Sequence, residues 1–424
     1  MKFQDSREFA EKLDAEDTLA GFRERFHIPV HATGQESLYF CGHSLGLQPK
    51  SAADFIVDEL SDWQHLGVRG HFEAKRPWLP YHKFLTDLTA RLVGACGKEV
   101  VNMNTLTVNL HLMMVSFYRP TTDRHKILIE TPAFPSDHYA VWSQIRFHGF
   151  NPDSSLLTIG PRNGESSIRT EDLDRMIERE GSEMALILLP GVQYYSGQAF
   201  DIEHIASVGH KAGCKVGFDL AHAVGNLPLQ LHDSGIDFAV WCNYKYLNSG
   251  PGAVGGCFVH ERHSNSVELP RFAGWWGQDK ATRFEMGPDF HPIPGVEGWQ
   301  VSNPPIFSLA PVLASLEVFD EAGMPALQCK SQRLTGFLEF LLDTRLASRV
   351  QILTPRDPAA RGCQLSLRID GGDRSVYEAL EKLGVVCDWR EPDVIRVAPV
   401  PLYNRFTEVF EYVGVLQQIL EEDQ

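Results

Sequence analysis

The segment of residues 216–255, VGFDLAHAVGNLPLQLHDSGIDFAVWCNYKYLNSGPGAVG, constrains the fold of this chain more than any other. It contains two short apolar runs, residues 216–218 and 238–242, which are typical of buried strands in a parallel sheet. Asp219 ends the first run, and Lys245 follows the second. A carboxylate and an amine therefore stand where two strands end, which is where open α/β sheets bind their ligands.

An acid and a lysine in these positions are the two groups that a pyridoxal phosphate (PLP) site requires. The acid keeps the pyridine nitrogen of the cofactor protonated, and the lysine amine forms a Schiff base with its aldehyde. Each residue alone has an ordinary alternative, because an aspartate after a strand commonly caps a helix and a lysine is commonly solvated. The two together, in this context, favour the cofactor.

Charge and cysteine content exclude several other classes of protein. The 424 residues carry a formal net charge of −16, which argues against nucleic acid or an anionic membrane as the main partner. The eight cysteines form no CxxC pair, and several lie in apolar runs, so buried free thiols are expected. The first 17 residues are charged and lack an apolar signal core, and no run of about 18 apolar residues is present. We therefore expect a cytoplasmic, reduced protein.

The pattern along the chain predicts an α/β fold. Strand-like and helix-like segments alternate between about residues 100 and 260, as in a parallel sheet flanked by helices. Helices are also predicted over residues 3–26, 51–66 and 77–96. No metal site is expected, since the only HxxH pair, His260 and His263, has no plausible third ligand nearby in the sequence.

The C-terminal third differs from this alternating region. Residues 270–306 are rich in Gly, Pro and Trp, which suits a subunit interface or a ligand wall. Beyond them, two long helices and several short strands predict a smaller α+β unit. The expected organisation is an N-terminal segment (1–50) that joins the small domain, a large ligand-binding domain (51–310) and a small C-terminal domain (311–424).

Three further positions suit an anionic, planar ligand. The start of the apolar helix predicted over residues 108–118 offers unpaired N–H groups to a phosphate, although the hydroxyl and amide residues before it, in 102–107, could simply cap it. Phe134, in TPAFPSD, could stack on a flat ring or belong to the core. Arg396 lies among apolar residues in a predicted strand, where a guanidinium is unusual unless it binds an anion such as a carboxylate.

Taken together, these blocks resemble the kynureninase family, which consists of fold-type-I PLP hydrolases. The resemblance covers nearly the whole chain. It depends on the segments YFCGHSLGLQPK, GHFEAKRPW, MNTLTVNLHLMMVSFY, AFPSDHYA, GFDLAHAVGN, CNYKYLNSGPG, GWWG, SNPPI and IRVAPVPLYN. The later blocks are specific to this family rather than to PLP enzymes in general.

The resemblance implies a fold, a reaction and a set of site residues. The fold would be a large domain with a mixed, mostly parallel sheet plus a smaller α+β domain. The reaction would be hydrolysis of L-kynurenine or 3-hydroxy-L-kynurenine to an anthranilate and L-alanine, in tryptophan catabolism by the kynurenine pathway that feeds NAD biosynthesis. Lys245 would form the Schiff base and act as general base, Asp219 would pair with the pyridine nitrogen, and Tyr244 would move a proton. The cofactor would also contact Leu106, Thr107, Phe134, Pro135, Ser136, Asp137, His222 and, from the neighbouring subunit of a homodimer, Trp275 and Asn303.

The substrate would be held by a second set of residues. Arg396 would bind its α-carboxylate, and Ser44, His71 and Asn303 would line the pocket for its aromatic part. Two positions depart from the family pattern: His43 replaces a frequent Asn, and Pro190 replaces a hydroxyl residue. Kynurenine and 3-hydroxykynurenine are not distinguished by the sequence.

Two alternatives remain open at this point. Another fold-type-I reaction, such as that of a cysteine desulfurase or an aminotransferase, would need its own residues, and a desulfurase needs a mobile reactive cysteine. A protein that kept the fold and lost the chemistry would have lost Asp219, Lys245 or Arg396, and all three are present.

Overall fold

The computed structural model describes residues 2–266 and 269–422. The helices of this part of the chain are α1 (Arg7–Ala15), α2 (Ser51–Leu66), α3 (Gly70–Glu73), α4 (Tyr81–Val93), α5 (Leu106–Phe117), α6 (Pro135–Phe147), α7 (Pro152–Ser155), α8 (Thr170–Glu180), α9 (Ile202–Lys211), α10 (Leu231–Ser234), α11 (Ile306–Ala322), α12 (Met324–Arg345), α13 (Arg374–Lys382) and α14 (Phe406–Glu422). The strands are β1 (Leu38–Tyr39), β2 (Val100–Asn102), β3 (Lys126–Glu130), β4 (Leu156–Ile159), β5 (Met184–Pro190), β6 (Lys215–Asp219), β7 (Phe238–Cys242), β8 (Gly255–Val259), β9 (Val350–Ile352), β10 (Leu365–Ile369), β11 (Val385–Val386), β12 (Asp388–Arg390) and β13 (Val394–Val397).

A seven-stranded sheet in the order β2-β8-β7-β6-β5-β3-β4 forms the centre of the larger part. Strand β8 is antiparallel to both of its neighbours, and the other pairs are parallel. This is the mixed, mostly parallel α/β sheet that the sequence predicts. Because parallel strands end at the same edge, the residues that follow β3, β5, β6 and β7 meet there.

Helices cover both faces of this sheet. On one face Phe238 and Val240 of β7 pack with apolar residues of α5 and α6. On the other face Ala239 and Trp241 pack with residues of α4, α8, α9 and α11. The alternation of side chains along one strand thus explains why β7 is apolar throughout, as expected for a strand buried on both faces.

The C-terminal residues build a second, smaller sheet in the order β12-β13-β10-β9, with antiparallel pairing throughout. Its core is shared with α12, α13, α14 and with Ala10 and Leu13 of α1. Strand β1 pairs in parallel with β11, so the N-terminal segment also contacts the C-terminal part. The domain boundaries at residues 50 and 310 stay a prediction.

Two helices differ in extent from the sequence prediction. The predicted helix over residues 3–26 is α1 followed by a separate 3-10 turn at Ala20–Arg25. Asp17 lies between them, where its carboxylate accepts the N–H of Leu19 at 2.9 Å and pairs with Lys330 at 2.7 Å. Such a local side-chain bond to the backbone competes with helix formation.

The predicted helix over residues 77–96 is shorter at both ends. It begins at Tyr81, after Pro77 and Pro80, which cannot donate a backbone hydrogen bond. It ends at Val93 because Gly94 follows in the left-handed conformation with φ +63°.

None of the helices in the described part of the chain has the length and apolar character needed to cross a membrane. All eight cysteines are free, and five of them are buried, as the sequence predicts. Cys329 is exposed.

Candidate active site

A buried cavity lies at the carboxyl edge of the large sheet, where the predicted residues meet. From the starts of α5 and α6 it is lined by Leu106, Thr107, Phe134, Ser136 and Asp137. From the ends of β6 and β7 it is lined by Asp219, His222, Tyr244 and Lys245. The carboxylate at 219 and the amine at 245 therefore line one cavity, as the sequence argument requires.

Lys245 lies between an aromatic face and a histidine. Its Nζ is 5.7 Å from the centroid of the Phe134 ring and 3.1 Å from Nε2 of His222. Burial and the nearby charge of Lys245 hold the pKa of His222 well below its ordinary value, so this imidazole is neutral. Nδ1 of His222 is buried without a hydrogen-bond partner among the described residues.

Two carboxyl groups, Asp219 and Asp137, line the same cavity as the lysine. Burial raises the pKa of Asp219, and the hydrogen bond that it accepts from the N–H of Ala221 at 2.7 Å opposes that rise. Burial and then the charge of Asp219 raise the pKa of Asp137 well above its ordinary value, so Asp137 holds the proton of this pair. Oδ1 of Asp137 has no partner within the described residues.

Glu130 adds a third acid that sequence reasoning missed. It is the last residue of β3 and lines the same cavity, with only 5% of its surface exposed. Burial raises its pKa to about 8, and the charge of Asp219 acts in the same direction. The sequence feature that pointed to Asp219, a carboxylate at the end of a buried strand, is also present in the segment KILIE. Glu130 could therefore have been predicted from the sequence.

Two helix N-termini converge at the other end of the cavity. Thr107 in the first turn of α5 and Ser136 in the first turn of α6 face each other, with 2.8 Å between their hydroxyl oxygens. Neither helix start is capped by the side chain that precedes it. Free N–H groups, two hydroxyls and two helix dipoles suit a phosphate.

These features fit the predicted cofactor. A planar aromatic ring can lie against Phe134, a cationic ring nitrogen would compensate the acidic pair, and a phosphate can occupy the two helix starts. The buried atoms left without partners, Oδ1 of Asp137 and Nδ1 of His222, are what a polar ligand would satisfy.

Arg396 approaches the cavity from the small sheet. Its side chain is buried, Nη1 donates to the backbone oxygen of Tyr194 at 2.7 Å, and Nη2 donates to Asp388 at 2.7 Å. Tyr194 lines the cavity and packs edge-on against Phe134, with 5.5 Å between ring centroids. Sequence reasoning missed both Tyr194 and Asp388, since strand pairing brings Asp388 to Arg396 and tertiary packing brings the loop of Tyr194 there.

The remaining predicted residues do not line this cavity. Ser44 lies in the loop whose Gly46 N–H donates to the backbone oxygen of Tyr244 at 2.9 Å. His71 packs edge-on against Trp78, and Trp275 donates its Nε1–H to the oxygen of Arg283 at 3.0 Å. The predicted residues that do not line the cavity are Ser44, His71, Pro135, Trp275, Asn303 and Arg396, which reaches only the backbone of the lining residue Tyr194. Trp275 and Asn303 were assigned to a neighbouring subunit, so their contribution stays a prediction.

The two departures from the family pattern lie at the site. Pro190 ends β5 opposite Asp219 and lines the cavity without a polar side chain. His43 is fully buried, 3.7 Å from Asp388, and burial together with the charge of Arg396 lowers its pKa to about 3.

Comparison with known proteins identifies relatives over nearly the whole chain. The kynureninase of Koribacter versatilis is 59% identical over 411 residues, which cover 97% of this chain and 97% of that protein. The kynureninase of Myxococcus xanthus is 59% identical (98% and 97% covered), and that of Xanthomonas campestris is 56% identical (96% and 96%). Residues 327–416 match the family described as Kynureninase C-terminal domain.

Solved structures of more distant proteins share the fold. The cysteine desulfurase CsdA from Escherichia coli has a TM-score of 0.77 at 16% identity, with 96% of this chain and 99% of that chain covered. A C-DES variant with glycine covalently linked to its PLP cofactor has a TM-score of 0.76 at 18% identity, with 90% and 96% covered. The α/β fold class is thereby confirmed.

Proposed function

The chain belongs to the kynureninase family, and from that premise we propose that it uses pyridoxal phosphate to hydrolyse L-kynurenine or 3-hydroxy-L-kynurenine. The products are L-alanine and anthranilate or 3-hydroxyanthranilate. One observation carries this proposal to the residue level: Lys245 and Asp219, from two different strand ends, line one buried cavity.

When bound, pyridoxal phosphate supplies an aldehyde for attachment of an amine and a ring that accepts electrons. Asp219 would keep the ring nitrogen protonated, and Asp137, whose raised pKa keeps it neutral, would leave Asp219 as the charged acid of the pair. Phe134 would cover one face of the ring and exclude water from it.

Lys245 removes the proton from the α-carbon of the substrate. Its Nζ lies 3.1 Å from Nε2 of His222, whose neutral imidazole can accept a hydrogen bond from the amine. Arg396 binds the α-carboxylate and so orients the α-carbon toward Lys245.

Tyr244 moves a proton at the reacting ketone or at the β-carbon. Burial and the neighbouring Cys242 raise the pKa of its phenol above the ordinary value, so it remains a proton donor at neutral pH. In the balanced reaction, water adds its oxygen to the aryl carbonyl carbon, the bond from that carbon to the β-carbon breaks, and the β-carbon gains a proton.

Substitution of Lys245 tests the proposal directly. The purified protein with added cofactor is treated with borohydride, which fixes a pyridoxyl group on the attached lysine, and the peptide is identified by mass spectrometry. The wild type should carry the label on Lys245 and release anthranilate from kynurenine, and Lys245→Ala should do neither. A label elsewhere, or turnover by the variant, would contradict the assignment.

The desulfurase alternative has less support. Cys242, next to the site, is buried, and burial raises the pKa of its thiol, so the thiolate that desulfuration requires is disfavoured. Incubation with cysteine and with kynurenine, followed by assays for sulfide and anthranilate, separates the two reactions.

A further inference from the structure

Three charged side chains share one face of the small sheet. In the antiparallel pair β12–β13, Asp388 is opposite Arg396, and Arg390 is opposite Val394. Since side chains alternate along a strand, Asp388 and Arg390 point to the same face as Arg396. This face turns toward Tyr194 of the cavity, whose backbone oxygen binds Arg396.

Asp388 forms ion pairs with two guanidinium groups. Its Oδ2 accepts from Nη2 of Arg396 at 2.7 Å and from Nη2 of Arg390 at 3.1 Å, and its Oδ1 is 3.0 Å from Nε of Arg390. Among residues 2–266 and 269–422, no other carboxylate oxygen lies within 4.0 Å of either arginine. The adjacent His43 is neutral near pH 7 and adds no charge. The cluster of Asp388, Arg390 and Arg396 therefore carries one net positive charge.

The two arginines of the cluster differ in exposure. The side chain of Arg396 is 1% exposed and that of Arg390 is 36% exposed. In Arg396, Nη1 already donates to the backbone oxygen of Tyr194 and Nη2 donates to Asp388. Arg396 binds the backbone oxygen of Tyr194, a residue that lines the cavity, and Asp388 joins Arg390 to Arg396, so the cluster adjoins the cavity wall.

We propose that Arg390 is a specificity-determining residue that supplies the net positive charge attracting the α-carboxylate of the substrate. Arg396 alone is neutralised by Asp388, so a second cation is needed to favour an incoming anion. The inference rests on the proposed function, because it takes an amino acid as the substrate and Arg396 as its carboxylate ligand.

Arg390→Gln tests this with two ligands that differ only in the carboxylate. Kinetics are measured with kynurenine, and inhibition constants with the decarboxylated amine of the same skeleton. We expect the KM for kynurenine to rise about fivefold, the size expected of a partly screened charge, with kcat within about twofold. The inhibition constant of the amine should stay within about twofold, and Arg390→Lys, which keeps the charge, should restore most of the KM.

Arg368→Gln is the matched control. Arg368 has 42% side-chain exposure in the same sheet and its own partner, Asp393, at 2.8 Å, so its loss should leave the KM unchanged. Equal effects of Arg390→Gln on both ligands, or no effect on either, would overturn the role of Arg390. Arg396→Lys in the same assay distinguishes failure of this inference from failure of the proposed function. If that variant affected both ligands equally, the proposed function itself would be contradicted.

Discussion

At the scale of single residues, the site combines three acids and one lysine that line one cavity. Burial raises the pKa of all three carboxyl groups, and in Asp219 the hydrogen bond from the Ala221 N–H and the charge of Lys245 oppose that rise. A bound cation on the ring nitrogen would therefore be drawn to Asp219 specifically.

Replacing Asp219 with Asn keeps the shape and removes the charge. We expect Asp219→Asn to bind the cofactor more weakly and to raise the barrier by ~3–4 kcal/mol, the usual size of one electrostatic contribution to catalysis. Cofactor absorbance during dialysis and kcat with kynurenine are the measurements. Wild-type turnover by this variant would remove the proposed role.

Glu130 predicts a pH dependence of stability. Its pKa is raised from 4.5 to about 8, so its contribution to stability is fully present below 4.5 and is lost as the pH rises through 8. Glu130→Gln has no such loss. With both proteins free of cofactor, the melting temperature of Glu130→Gln should rise relative to that of the wild type as the pH increases from 6 to 9. A constant difference over that range would show that Glu130 does not titrate there.

The residues that the sequence predicted best were those marked by local position. Asp219 and Lys245 were predicted because each stands at or just after the end of a short apolar run, and Phe134 because an aromatic side chain there could stack on a flat ring. Glu130 carried the same signal inside KILIE and was missed. Asp388 could not be predicted, because its importance arises from pairing opposite Arg396 in a sheet whose register is set by tertiary packing.

At the scale of elements, the loop that contains Gly46 supports the segment of Lys245. The Gly46 N–H binds the backbone oxygen of Tyr244, and a Cβ at this position would lie 2.3 Å from the backbone oxygen of Lys245. The absence of a side chain therefore lets the N-terminal segment pack directly on the segment that carries Lys245.

Gly46→Ala should displace that strand end. We expect a loss of ~1–3 kcal/mol of stability from overpacking, together with a fall in kcat, because small misplacements of a catalytic group are costly. Thermal melting and kynurenine turnover measure the two effects. Gly21→Ala, where a Cβ would meet nothing within 4 Å, is the control and should change neither.

At the scale of the whole molecule, the family resemblance assigns two pocket residues to a second subunit, and this assignment stays a prediction. Trp275 and Asn303 lie in the irregular 270–306 segment and do not line the cavity of their own chain. In a homodimer they would complete the site of the neighbour.

Mixing two inactive variants tests this arrangement. Subunits carrying Lys245→Ala and Asn303→Ala, dissociated and reassociated together, should regain activity because hybrid dimers contain one intact site. Random assortment gives about a quarter of the wild-type sites. No recovery in hybrids shown to have formed would mean that Asn303 acts within its own subunit or not at all.

The loop after β5 joins the two sheets. Gln364, Ser366 and Arg396 of the small part donate hydrogen bonds to the backbone oxygens of Tyr194 and Tyr195 at 2.5–3.1 Å. A movement of the small sheet relative to the large one would act on the backbone that carries the Tyr194 ring, which packs edge-on against Phe134. Binding of an anion at Arg396 would thus be coupled to the contact between Tyr194 and Phe134.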